Sequence, residues 1–181
     1  MNLVTRSKDH MNPIKINLGC GKKYWDDYIN VDANPDVNPD IITDFTQELP
    51  FENDYADEII AIHLIEHIDK LKIDNIIQDW FRVLKPGGKL IIECPDLEKI
   101  AHHILNREFR ENEPKLWETF TIQGIFGEQT ENMLTIDRHM WGYTPDTMAD
   151  LLLRNNFKDV MCMPAQWHRP QRDMRFEATK L

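Results

Sequence analysis

The sequence predicts an α/β domain built on a mostly parallel sheet. Five short apolar runs, each closed by glycine, proline or an acid, alternate with turns. An amphipathic stripe of helical period separates the fourth run from the fifth. The length, 181 residues, is enough for one sizeable core and too small for two.

Residues 1–12 are polar, lack the apolar stretch of a signal peptide, and read as a flexible lead-in to a single domain over 13–181. The first predicted strand, Ile14 to Leu18, runs into Gly19-Cys20-Gly21. The second, Tyr28 to Val31, ends at Asp32, and the third, Asp40 to Ile42, ends near Asp44-Phe45. Ile59 to Ile62 is the fourth and Lys89 to Cys94 the fifth. Between these two, Ile73, Ile76, Ile77, Trp80 and Leu84 form one helical stripe, which Lys85-Pro86-Gly87-Gly88 stops. Leu97, Ile100, Ala101, Ile104 and Leu105 predict a second helix after Asp96. From Glu111 to Gly142 the periodicity breaks down among Trp117, Phe120, Phe126 and Trp141, so 97–143 reads as a helix followed by a lid. Thr144 then caps a helix with Pro145 at its first position, running to about Asn155. Phe157 to Met163 and Met174 to Thr179 predict an antiparallel hairpin at the sheet's edge.

A net charge of −10 argues against a nucleic-acid partner, because neutralising phosphates needs a basic face. His168, Arg169, Arg172 and Arg175 make only a small basic cluster. No apolar run approaches a membrane span. Cys20, Cys94 and Cys162 are odd in number and far apart, which predicts a reducing, cytoplasmic setting without disulfides or a cysteine zinc site.

A strand entering Gly-x-Gly puts residues without Cβ where a ligand can approach the backbone. Alone this is equally a plain tight turn, and each aspartate alone a strand-end turn former. Together, a glycine bend, Asp32 to accept from ribose hydroxyls, and Asp44 to accept from an adenine amino group occupy three successive strand ends. The Phe45 backbone N–H could serve the same ring. A dinucleotide site fits less well, since Tyr24 stands where the third glycine belongs. His63-Leu64-Ile65-Glu66-His67 matches the H-x-x-E-H zinc-hydrolase pattern, with Glu66 as base. The run before it reads as strand, so His63 is expected at a strand end, and no metal is expected.

The segments INLGCGKK, YINVDANP, ITDFTQELPF, ADEIIAIHLIEHI and RVLKPGGKLIIECPDL resemble class I methyltransferases, nearest the type-11 group and its small relatives. DRHMWGYTPDTMADLLLRNNFKDV and RDMRFEATK are similar to the C-terminal end of those small relatives. The resemblance implies a Rossmann-like three-layer sandwich, a seven-stranded sheet of order 3-2-1-4-5-7-6 with the seventh strand antiparallel, and S-adenosylmethionine as cofactor. It implies that Leu18, Gly19, Cys20 and Gly21 meet the methionine part. Asp32, with Ala33 beside it, would hold the ribose, Asp44 and Phe45 the adenine, and His63 would line the methionine end through its backbone. Only about ten residues separate Gly21 from Asp32, so that crossover must be a loop, and the stretch from Asp44 to Ile59 is similarly short.

Methyl transfer from a sulfonium demands in-line positioning more than any one side chain. His139 is the first candidate base, since imidazole titrates near neutral pH, and His168 the second. Trp141, Tyr143 and His168 are candidate substrate contacts. His102 and His103 are expected in solvent, and Glu66 with His67 in a supporting role. The expected acceptor is a hydroxyl or amine of a small molecule or glycan, glycans being suggested by the small relatives. The alternatives are a non-catalytic S-adenosylmethionine-binding module and a zinc hydrolase using His63, Glu66 and His67.

Overall fold

A computed structural model of the chain describes residue 4 and residues 12–45, 47–107, 111–128 and 138–181. Strand β1 (Lys15–Leu18) sets the plan. Its Ile16 and Leu18 are fully buried on one face, while Asn17 on the other donates to Asn30 Oδ1 at 3.0 Å. The remaining strands are β2 (Ile29–Asp32), β3 (Ile41–Ile42), β4 (Ala56–Ile62), β5 (Leu84–Pro95), β6 (Lys158–Pro164) and β7 (Asp173–Thr179). They form one seven-stranded sheet of order β3-β2-β1-β4-β5-β7-β6. The pairings are parallel from β3 through β5, and β7 runs antiparallel to both its neighbours. This is the Rossmann-like α/β arrangement that the sequence predicts.

The register fixes where the site lies. Leu18 pairs with Val31 on one side and Ala61 on the other, so β1, β2 and β4 finish at one level. Gly19, Asp32 and His63 therefore leave the sheet along the same edge.

Helices α1 (Ile73–Val83) and α5 (Pro145–Arg154) cover one face. Ile73, Ile77, Trp80, Met148 and Leu151 join Ile16, Leu18, Ile59, Leu90, Ile92 and Phe176 in one continuous core. Successive side chains of a strand point to opposite faces, and the second face keeps only a small cluster of Ile60, Ile62 and Ile91, with Trp25 and Tyr28 against it. Buried Glu93 and Arg175, 3.3 Å apart, lie on this second face. Among the described residues no helix joins β1 to β2. Loop residues Trp25 and Tyr28, ring centroids 4.9 Å apart, do the covering themselves. Between β2 and β3 there is only a 3-10 turn, Pro35–Val37, whose Asp36 N–H donates to the Asn34 side chain. The short crossover from Gly21 to Asp32 is thus as expected, and from Asp44 to Ile59 there is likewise no helix among the described residues.

Several local readings change. Helix α1 stops at Val83, and Leu84 already pairs with Ala56 as the first residue of β5. Regular pairing resumes at Lys89, so Lys85-Pro86-Gly87-Gly88 is an irregular stretch inside the strand, with Gly87 at φ 80°. Helix α2 (Leu97–Asn106) forms as predicted, its N-terminus capped by Asp96. The supposedly aperiodic segment contains two short helices, α3 (Pro114–Phe120) and α4 (Ile122–Phe126). Gly124 lets α4 settle on α2, since a Cβ there would lie 2.7 Å from Ile100 Cδ1. His103 is not in solvent: it is buried, and its Nε2 donates to the Gln171 carbonyl at 3.0 Å. Val4 bridges Phe51, while the rest of the expected lead-in up to Met11 lies outside the described residues. So do residues 129–137 of the lid.

Candidate active site

The bend after β1 uses two left-handed residues, Gly19 at φ 65° and Gly21 at φ 50°, a region that costs any other residue steric strain. At Gly19 the tight fit is to the protein, for a Cβ would sit 2.9 Å from Leu64 Cδ1. At Gly21 a Cβ would meet nothing within 4 Å. Asp32 faces this bend. Its Oδ2 accepts from the Gly21 N–H at 2.7 Å and its Oδ1 from the Asn34 N–H at 2.8 Å. The Gly21 N–H is thus already taken, and what the bend offers a ligand is space. Each carboxylate oxygen of Asp32 keeps a second lone pair for an incoming hydroxyl. Open room beside Gly21 with an acid on its border fits the ribose end of an adenosyl ligand.

Leu18 is buried beneath the bend, and Cys20 is buried with its N–H bonded to the Val31 carbonyl at 3.1 Å. Burial, then the nearby Asp32 charge, push the Cys20 thiol up to about 11, so it stays protonated. Ala33 is exposed beside Asp32. Thr43 donates its N–H to the Asp32 carbonyl at 3.0 Å, which brings the exposed Asp44 to the neighbouring strand end. The Phe45 ring packs on the main core.

His63, immediately after β4, has φ 52° and donates its N–H to the Glu93 carbonyl at 2.8 Å. Its ring does more than the backbone role expected of it. Nδ1 lies 2.7 Å from Glu66 Oε1 and Nε2 lies 3.1 Å from Asp173 Oδ2. Burial alone would lower its pKa, but the Glu66 and Asp173 carboxylates outweigh burial and raise it to about 9. Asp173 is fully buried and is the hub that the sequence reading missed. It also accepts from His168 Nδ1 at 2.8 Å, the Arg169 N–H at 3.1 Å, and Arg172 Nε at 2.5 Å. Burial would raise this carboxyl, but its donors hold it far below the usual range. The only signal in the sequence was an acid set among arginines at a strand start. Arg172 and Arg175 are correspondingly buried partners of acids rather than a basic surface.

Glu66 and His67 occupy a 3-10 turn, Ile65–His67, directly after this strand end. Residues 140 and 141 are pinned above it, since the N–H groups of Met140 and Trp141 both donate to the Glu66 carbonyl, at 2.7 and 3.1 Å. That brings the rings of His67 and His139 to 5.0 Å, nearly perpendicular. His139 donates from Nδ1 to the Gly124 carbonyl at 3.0 Å, and burial lowers its pKa, leaving it neutral. His168 stands 4.3 Å from His63, ring to ring, and its pKa is lowered. Its bond to Asp173 would raise it, but burial and the His63 charge prevail.

His63, His67, His139 and His168 line a cleft of about 210 Å³ together with Arg169 and Arg172, and Gln123 and Glu128 complete it. A larger depression of about 350 Å³ beside α1, lined by Gln47, Glu48 and Arg82 among others, holds no histidine. Two predicted substrate residues are elsewhere. Tyr143 is 1% exposed in the core, so it has no face to present to a substrate. Trp141 is partly exposed beside Lys70, whose Nζ is 5.4 Å from its ring, and it does not line the cleft. His63 and His67 share no helix, and both nitrogens of His63 are engaged, so the H-x-x-E-H set does not form a hydrolase zinc pair. None of the described helices is long and apolar enough to cross a membrane.

A family model described as a methyltransferase domain matches residues 16–161. No curated protein sequence matches the chain. Among solved structures, a methyltransferase from Methanosarcina mazei superposes with a TM-score of 0.62 at 14% identity, covering 95% of this chain and 94% of that one. A possible histamine N-methyltransferase from Thermotoga maritima gives 0.60 at 15% identity, covering 96% and 84%. Human N-acetylserotonin methyltransferase, solved with S-adenosylmethionine, gives 0.57 at 16% identity, covering 93% and 47%. At these identities the likeness is one of fold.

Proposed function

Given that the chain belongs to the methyltransferase-domain family and is an S-adenosylmethionine-dependent methyltransferase, we propose that it methylates a hydroxyl or amine of a small molecule or glycan held in the histidine cleft. The observation that carries this reading is the position of His63. It follows β4 two residues after Ala61, the partner of Leu18, and it also lines the cleft, which supports a cleft opening at the same sheet edge as the glycine bend.

When bound, the cofactor supplies a methyl already activated by the sulfonium charge. What remains for the chain is to hold an acceptor in line and to keep water out. Leu18 to Gly21 and Asp32, with Asp44 and Phe45 at the adenine end, bind and orient the donor. His139 and His168 face the acceptor, and His139 takes the hydrogen bond from its O–H or N–H. In His139 the Nδ1–H is committed to Gly124, which leaves the Nε2 lone pair for that bond. From the segment 97–143, Gln123, Glu128 and His139 line the cleft, within one domain, 13–181. A net charge of −10 supports an acceptor other than nucleic acid, and three unpaired cysteines support a reducing, cytoplasmic setting.

Incubating the protein with S-adenosylmethionine labelled in its methyl group and a panel of alcohols, amines and sugars tests the reading. Label should enter at least one acceptor class, and His139→Ala should slow transfer about 100-fold or more. Label entering none of them overturns the acceptor assignment.

A further inference from the structure

Glu66 Oε2 poses a problem of its own. The residue is 1% exposed, its other oxygen is taken by His63, and Oε2 has no hydrogen-bond partner among the described residues. The His63 ring answers the charge of the carboxylate through its other oxygen, but a buried oxygen with no donor of its own is still expensive, and a further donor or a metal is what such an atom accepts. Two imidazoles stand beside it, each held through its Nδ1 by a backbone carbonyl. His67 donates from Nδ1 to the Arg138 carbonyl at 3.1 Å, and His139 from Nδ1 to the Gly124 carbonyl at 3.0 Å. A carbonyl can only accept, so each Nδ1 carries a proton, and Nε2 is the nitrogen each ring would turn to a metal. Glu66, His67 and His139 each place one donor atom within 4.8 Å of the other two.

We propose that Glu66, His67 and His139 bind a first-row divalent cation at the floor of the acceptor cleft. Two histidines and one carboxylate with positions left open form a ligand set used by zinc and by iron, cobalt and manganese in the same oxidation state. Ligands about 2 Å from a common ion lie roughly 3 Å from one another, so small side-chain rotations close the site. Its outer contacts are already in place: backbone carbonyls orient both rings, and His63 fixes the first oxygen of Glu66. The neighbouring group of His63, His168 and Asp173 is not equivalent. Asp173 Oδ2 is saturated by His63, His168, Arg169 and Arg172, which leaves it no lone pair for an ion.

His67 and His139 line the cleft, so an ion held by them would be reached from it, which points to an oxygen acceptor, best one with two adjacent oxygens that could chelate the ion. This last step rests on the acceptor reading above. It moves the lone pair of His139 to the ion, which then holds the acceptor oxygen in its place.

The test is a titration of tag-free, chelator-treated protein with Co²⁺, followed by visible absorption and calorimetry. We expect one equivalent per chain with the bands of a mixed nitrogen and oxygen site. His67→Ala and His139→Ala should each weaken binding tenfold or more, and His168→Ala should leave it unchanged. Folding is checked in each variant by calorimetric binding of S-adenosylhomocysteine. Protein that binds this nucleoside but no Co²⁺ overturns the metal site and leaves the methyltransferase reading standing. Co²⁺ binding without the nucleoside does the reverse. Loss of Co²⁺ in His168→Ala with full binding in His139→Ala assigns the ion to the other group and refutes the proposal.

Discussion

Replacing Gly21 by alanine puts a methyl group into the open space bordered by Asp32, and the structure lets stability and binding be separated. Gly21 has φ 50° and no atom within 4 Å of where its Cβ would be. The stability cost is therefore only that of a left-handed alanine, about 1–2 kcal/mol. For a chain of this size that lowers the melting temperature by roughly 2–8 °C. Gly19→Ala bears the same backbone cost, and its Cβ also lies 2.9 Å from Leu64 Cδ1 and 3.2 Å from Leu64 Cβ. Overpacking of that kind adds about 1–3 kcal/mol. Thermal melting should therefore rank wild type above Gly21→Ala above Gly19→Ala. Calorimetry with S-adenosylhomocysteine should show the milder variant, Gly21→Ala, already weakened tenfold or more, a loss of about 1.4 kcal/mol. If Gly21→Ala binds as tightly as wild type, the space beside Asp32 is not the cofactor's, and the reasoning fails.

Two further substitutions test the frame. Tyr143 carries a buried hydroxyl with no partner among the described residues, so Tyr143→Phe should raise stability by up to about 1 kcal/mol in a denaturant titration, and a clear loss would contradict the core placement. Arg175→Ala leaves Glu93 buried with only the N–H groups of Gln166 and Trp167, and should cost about 3 kcal/mol in the same assay, whereas a change below about 0.5 kcal/mol would mean that the pair contributes nothing.

The strand ends were legible in the sequence because each apolar run stops at a residue with a reason to stop: glycines after Leu18, Asp32 after Val31, His63 after Ile62. The convergence of the cleft was not, because it depends on contacts across long stretches of chain. His63 meets Asp173, 110 residues later. Glu66 and the Met140 N–H meet through the backbone, which leaves no pattern in side chains. Periodicity missed α3 and α4 because each spans only one or two turns, too few for a stripe to show. His103 was misplaced for a related reason: its partners, the Phe120 ring and the Gln171 carbonyl, come from distant parts of the chain. The arginines at 172 and 175 looked like surface charge because composition reports charge without its partners.

The most direct measurement is calorimetric titration of the wild-type protein and of Asp32→Ala with S-adenosylhomocysteine. One saturable site in the wild type, lost or weakened at least tenfold when the Asp32 carboxylate is removed, is the predicted result. A folded wild-type protein that gives no heat of binding, or an Asp32→Ala variant that binds equally well, would contradict an adenosyl ligand held between the glycine bend and Asp32.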